Sequence, residues 1–312
     1  MKPLLSGVDA GRIWPGSGRP RRNVGQRRLI RRTMVVFAAP SVILLVLLTA
    51  YPLVYGAVQS VHNGTLISTG SFVGMDNYWA ALTSSAFWQA AEFTLLFTLV
   101  GVFGSWAIGL ALALLLRAAF PGRNFFKMLL TLPWVVPIVV TATSWNWLIA
   151  TNSSPLTLLA SALGLGHPLF LASPFLAKIT VCIFKVWVSF PFMMLMSSAA
   201  LTGVDGTLYE AARVDGASSW QQFRRITLPL IAKPTYISWI IMTIFCVNDF
   251  PTIYLLTGGG PVSSTTSLVV LAYRTVFDNF QVGPGVSIAF IMTGALVIVS
   301  VLLYRLIRKA HA

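Results

Sequence analysis

The hydrophobic pattern consists of long uncharged runs, not of short alternating or one-sided faces. Six such runs lie near 34–58, 90–116, 127–150, 176–202, 235–257 and 285–306. A helix needs roughly 20 apolar residues to cross the hydrocarbon core, so each run predicts a membrane span. Barrel strands would instead show short segments of alternating polarity. Pro40, Pro52, Pro133, Pro137 and Pro191 fall within these runs, where a membrane helix accommodates proline by kinking or opening locally. The pattern predicts an all-α, polytopic membrane protein with six transmembrane helices.

One polar stretch, 205–230, separates the fourth and fifth runs and reads as two short helices joined at a glycine. Thr207 and Glu210 have the spacing of a capping box. Gly216 supplies a left-handed stop. Ser218 and Gln221 repeat the capping spacing, and Pro229 is expected to end the second helix. A compact helical hairpin on one side of a bilayer is a docking surface.

Composition strengthens the membrane reading. Hydrophobic residues make up 56% of the chain and charged residues only 10%, with a mean hydropathy of +0.78. A soluble domain carries about 25% charged residues. Nineteen of the 22 basic residues fall in the tail up to Arg32, in the loops after the second and fourth runs, and at the C-terminus. The intervening loops, 59–89, 151–175 and 258–284, hold only Arg274. The positive-inside rule therefore places both termini and the hairpin in the cytoplasm. Residues 1–33 are expected to form a flexible basic tail ahead of an uncleaved signal anchor. Positive-inside bias and attraction to anionic lipids account for the net charge of +14, so membrane lipids are expected partners and nucleic acid is not.

Catalytic chemistry is not indicated. Cys182 and Cys246 lie within predicted spans, where an inert buried thiol is the ordinary state. His62, His167 and His311 are scattered, so no metal site is expected. No phosphate-binding loop of the Gly-x-x-x-x-Gly-Lys-Ser/Thr type occurs, so the chain is expected to bind no ATP itself.

Polar residues within the spans are the remaining candidates. Lys185 and Asp249 sit at similar depth in the fourth and fifth runs, and intramembrane charges pair or face a watery cavity. Two readings stand together: an ion pair joining two helices, or a polar solute path with Asn146 and Asn248. Trp145, Trp147, Trp187, Phe190 and Phe192 flank the same helices. Aromatic faces suit sugar rings, but interfacial belts and core packing produce the same pattern.

The hairpin invites a family comparison. Glu210-Ala211-Ala212, Gly216 after three further residues, then Ile226 and Leu228-Pro229 resemble the signature loop of permease subunits of bacterial binding-protein-dependent ABC importers. Phe72-Val73-Gly74-Met75-Asp76-Asn77-Tyr78 and Tyr254-Leu255-Leu256-Thr257-Gly258-Gly259-Gly260-Pro261 resemble further motifs of the sugar-importer group, of the maltose and sn-glycerol-3-phosphate type. One departure is Val204-Asp205-Gly206-Thr207, where family members commonly have a proline. The resemblance implies a type I importer permease fold, a second permease subunit, two cytoplasmic ATPase subunits and an extracytoplasmic substrate-binding protein. It also implies that ATP and magnesium are bound by the ATPase partner. Glu210, Ala211, Ala212, Asp215, Gly216, Ala217, Trp220 and Phe223 would couple ATPase closure to the spans. Trp145, Asn146, Lys185, Trp187, Asn248, Asp249 and Tyr254 are the candidates for the solute path. A di- or oligosaccharide is the implied cargo, with a glycerol-3-phosphate or glycerophosphodiester-type solute as the alternative. An ion-coupled secondary transporter is the competing class, but it would usually carry more intramembrane titratable groups and repeat symmetry.

Overall fold

The computed structural model describes residues 24–309. Every named element among them is helical, the only strand-like pairings being isolated bridges at His62–Phe72 and Thr65–Ser68. By internal packing the chain divides between Tyr55 and Gly56. The smaller part holds α1 (Val24–Leu45), a π-helical turn (Val46–Ala50) and the first turn of α2 (Tyr51–Ser60). Helix therefore begins inside the tail that was expected to be flexible to residue 33. Residues 1–23 lie outside the described residues.

The larger part continues with α3 (Asp76–Thr83), α4 (Ser85–Leu115), α5 (Arg123–Val135), α6 (Ile138–Ile149) and α7 (Pro155–Ala162). It then runs through α8 (Pro174–Thr202), α9 (Gly206–Val214), α10 (Ser219–Gln222), a second π-helical turn (Phe223–Thr227) and α11 (Leu228–Val247). It ends with α12 (Phe250–Thr257), α13 (Leu268–Phe277) and α14 (Val282–Lys309).

Among the described residues, five helical stretches are long and apolar enough to span a membrane: Arg32–Ser60, Ser85–Leu115, Pro174–Thr202, Ser219–Val247 and Val282–Arg305. The run at 127–150 is different. Pro133 lies inside α5 and Pro137 caps α6, and the two helices meet at 91°. Two prolines four apart remove two backbone donors and crowd the preceding turn, which breaks the helix.

Prolines also explain both π-helical turns. Each ends two residues before a proline, Pro52 in one case and Pro229 in the other. A locally widened turn accommodates the ring against the preceding carbonyls and the missing N–H. Pro229 thus does not end the second hairpin helix. Helix continues from Ser219 into α11 and so directly into the membrane span.

The α4–α8 contact is the centre of the core. Gly101, Gly104 and Gly109 on α4 face Cys246 and Lys185, Val186, and Met193–Met194 respectively. A Cβ on Gly109 would come within 2.6 Å of the Met194 backbone nitrogen. Small residues let membrane helices approach closely and gain dispersion contacts where no hydrophobic driving force separates helix from lipid. Phe93, Phe97, Val181, Phe184, Met193, Met242, Cys246 and Ile253 fill the space around this seam and are fully buried or nearly so.

Candidate functional site

The hairpin is held by local chemistry at each end of its first helix. Asp205, not Thr207, is the N-cap of α9, its Oδ1 accepting from the Thr207 N–H at 3.0 Å. This hydrogen bonding holds the Asp205 carboxyl below the usual aspartate range. The expected Thr207–Glu210 capping box is therefore not formed. The helix begins at Gly206, which puts Leu208 at the capping-box position and Glu210 two residues past it. The carboxylate of Asp205 is the start signal of the helix.

The C-terminal end of α9 follows the left-handed stop. Gly216 has φ +77°, the Ala217 N–H donates to the Ala212 carbonyl at 2.8 Å, and the Gly216 N–H donates to that of Arg213 at 3.1 Å. These two bonds make a Schellman motif, closing α9. Ser218 and Gln221 form the expected capping box for α10. Gln222 Nε2 then donates to the Ala217 carbonyl at 2.8 Å, fixing the corner. The Tyr209 hydroxyl bonds Thr227 Oγ1 at 2.9 Å, and the Arg117 guanidinium lies 4.5 Å from the Tyr209 ring centroid. The hairpin is thereby anchored to the ends of α4 and α11.

Its outer surface carries exposed apolar side chains among polar and charged ones. Val214 is 89% exposed and Trp220 65% exposed. Trp220 and Phe223 pack ring to ring at 5.6 Å. Glu210, Ala211, Asp215 and Gly216 are exposed too, while Ala212, Ala217 and Phe223 are half-buried. A Cβ on Gly216 would touch nothing within this chain.

The second group of candidates lies in the core. Lys185 Nζ donates to Asp249 Oδ2 at 2.6 Å, with side chains 7% and 11% exposed. The fifth run is not one helix to 257. It breaks after Val247, and Asp249 sits in the break as the N-cap of α12. Its Oδ1 accepts from the Thr252 N–H at 3.0 Å and its Oδ2 from the Thr252 hydroxyl at 2.8 Å. Asp249 thus has three donors, and Lys185 also lies 5.8 Å from the Phe97 ring centroid. A buried charge pair needs this degree of satisfaction to offset its desolvation.

The other candidates surround this pair unevenly. Trp145 packs on Phe184 and on Trp187, with centroids at 5.2 and 5.4 Å. Asn146 Nδ2 reaches the Leu256 carbonyl at 3.3 Å, tying α6 to α12. Asn248 is exposed and donates to the Ile244 carbonyl of its own helix. Tyr254 stacks on Phe250 at 4.7 Å and meets Tyr273 at 5.3 Å. Tyr273 in turn meets Phe250 and Phe277 at 4.6 and 4.8 Å. That four-ring row on α12 and α13 was not anticipated, because its two halves, Phe250 with Tyr254 and Tyr273 with Phe277, stand nineteen or more residues apart across the Gly258–Pro261 turn. Thr252 was missed as well. Its position three residues after an aspartate is the cap signal that could have revealed it.

Residues 105–311 match the family described as "Binding-protein-dependent transport system inner membrane component". A probable ABC transporter permease protein of Sinorhizobium fredii is 36% identical, over 92% of this chain and 94% of its own. The trehalose/maltose transport system permease protein MalF of Thermococcus litoralis is 34% identical, over 72% of this chain and 76% of its own. In fold, the chain superposes on a chain of a bacterial ABC transporter that imports the acidic polysaccharide alginate. That match has a TM-score of 0.80 at 20% identity and covers 92% of this chain and 99% of the other. The Sinorhizobium relative and the alginate-transporter chain match nearly end to end, and the hairpin, the broken span and the glycine seam all lie in the larger packed part. This chain belongs to the inner-membrane permease components of binding-protein-dependent ABC importers.

Proposed function

We propose that this chain lines half of the path of an ATP-driven carbohydrate importer, and that the hairpin at 205–230 couples it to an ATPase subunit. The single observation that carries the coupling role is the exposure of Val214 and Trp220 on a hairpin held by the Asp205 cap, the Gly216 Schellman motif and the Ser218 capping box. The helix leaving it runs without interruption into a span. A push on Trp220 or Val214 is therefore delivered to α11 with little loss in loop flexibility. In this reading Glu210, Ala211, Ala212, Asp215, Gly216, Ala217, Trp220 and Phe223 form the docking face. The chain contributes no chemistry, and ATP and magnesium are held by the ATPase partner.

The complete importer comprises this chain, a second permease, two ATPase subunits and an extracytoplasmic binding protein. The hairpin and both termini face the cytoplasm, as the basic residues favour. A di- or oligosaccharide is the proposed cargo, supported by relatives named for trehalose and maltose transport. Around the path, Trp145 and Trp187 supply ring faces, and Lys185 and Asp249 serve as a structural pair rather than as free ligands, because both charges are already satisfied.

Reconstitution tests this reading. Proteoliposomes holding the assembled complex should take up labelled disaccharide only with ATP and the binding protein present. Uptake driven by an ion gradient without ATP would overturn it.

A further inference from the structure

A cavity of about 250 Å³ lies where the ends of α4, α5 and α8 meet. That is roughly eight times the volume of a water in the liquid. Arg117, Arg123, Lys127, Ser198 and Thr202 line it together with leucines and alanines, and no acidic residue does. None of its three cations is in an ion pair, the pairs among the described residues being Lys185–Asp249 and Arg274–Asp278. Arg123 and Lys127 also stand in the first turns of α5, where no acidic residue offsets them. Cations at a helix N-terminus oppose the helix dipole. Arg117 and Arg123 are exposed and Lys127 half-buried, so three cations without an acidic partner face a concave, hydroxyl-bearing space and attract an anion into it.

We infer that this cavity binds a phosphate-bearing headgroup, and that its source is an anionic membrane lipid. The lipid source follows from the surroundings. The cavity lies at the ends of three apolar helices, and Leu115, Phe125 and Met128, next in sequence or within two residues of its lining, are exposed. An acyl chain can lie along these while the phosphodiester accepts from the guanidinium and ammonium groups, each a charge-assisted hydrogen bond. Arg117 joins the site to the hairpin, since the same guanidinium covers Tyr209 of α9. The inference does not depend on which solute is carried.

The test uses the assembled importer in detergent, titrated with phosphatidylglycerol, with phosphatidylcholine or with inorganic phosphate, and bound lipid is counted by native mass spectrometry. The wild-type complex should retain phosphatidylglycerol in preference to phosphatidylcholine. The triple variant Arg117→Gln, Arg123→Gln, Lys127→Gln should bind phosphatidylglycerol on the order of a hundred-fold more weakly. Lys233→Gln, an exposed basic residue outside the cavity, should leave binding unchanged. If the triple variant does not assemble, Arg123→Gln with Lys127→Gln keeps Arg117 on Tyr209 and should still weaken binding more than ten-fold. Unchanged binding in the cavity variants, or an equal loss in Lys233→Gln, overturns the site. Displacement of the lipid by millimolar inorganic phosphate overturns the lipid source.

Discussion

Lys185 and Asp249 are the residues whose chemistry the structure changes most. Sequence depth alone left two readings open, a pair or a polar path, because nothing in a linear chain fixes the rotation of α8 against α11. The break after Val247 decides much of it. Asp249 accepts from Lys185 and twice from Thr252, leaving little capacity for a solute. Removing one charge leaves the other buried and unpaired, which costs about 3–5 kcal/mol. Lys185→Met and Asp249→Leu should each lower the melting temperature of the purified complex, and the double variant should recover most of the loss. Asp249→Asn keeps an acceptor for the Thr252 N–H and should unfold α12 less than Asp249→Leu does. Recovered uptake in the double variant marks the pair as structural, whereas uptake that stays lost with full stability places the charges in the path. At the hairpin, Asp205 titrates below its unfolded value of about 3.8. Its capping contribution is complete above that pH and fades as the pH falls through the lower folded value. Hydrogen exchange at the Thr207 amide should thus be equally protected at pH 6 and 8, and Asp205→Ala should remove that protection at both.

At the scale of elements, glycine separates what was legible from what was not. Gly216 could be read as a helix stop from its place between two capping signals, and it adopts φ +77°. Gly101, Gly104 and Gly109 gave no such signal, because their role exists only where α8 passes. The difference can be measured. Gly216 has open space around it, so Gly216→Asn, which tolerates the left-handed region, should cost the isolated subunit little, while Gly216→Val should cost about 1–2 kcal/mol. If an ATPase packs closely here, both variants insert into the membrane normally but lower the ATPase activity stimulated by binding protein. If only the turn matters, Asn restores coupling and Val does not. Gly109→Ala puts a methyl into the Met193–Met194 backbone and should destabilise the subunit by about 1–3 kcal/mol. Gly294 in α14 has nothing within 4 Å, and Gly294→Ala should be neutral or slightly stabilising in the same melting assay. The two π-helical turns lay half-legible in the sequence. Pro52 and Pro229 marked the places, but a helix widening to absorb a proline and a helix ending at one leave the same trace.

For the whole molecule, the apolar runs marked the order of the candidate spans, while proline spacing and a buried carboxylate altered two of them. At 1.5 Å per residue, neither the 13 residues of α5 nor the 12 of α6 reaches across a hydrocarbon core of about 30 Å. Together at 91° they form a bent span or a re-entrant pair, whose broken backbone must be covered by protein and not by lipid. Orientation rests on where the basic residues fall, and it carries the coupling reading with it, because an ATPase can reach the hairpin only from the cytoplasm. Exposed positions make this decidable. Leu165 is 73% exposed in the loop after α7, and Val214 is 89% exposed on the hairpin. Cys182 and Cys246 are buried and free, so they give little background. In intact cells a membrane-impermeant maleimide should label Leu165→Cys, and should label Val214→Cys only after permeabilisation. Assembled complex should also protect Val214→Cys relative to the subunit alone, as the proposed docking of an ATPase on that face requires. Labelling of Val214→Cys from outside intact cells would invert the topology, and a hairpin outside the cell has no ATP-driven partner to receive.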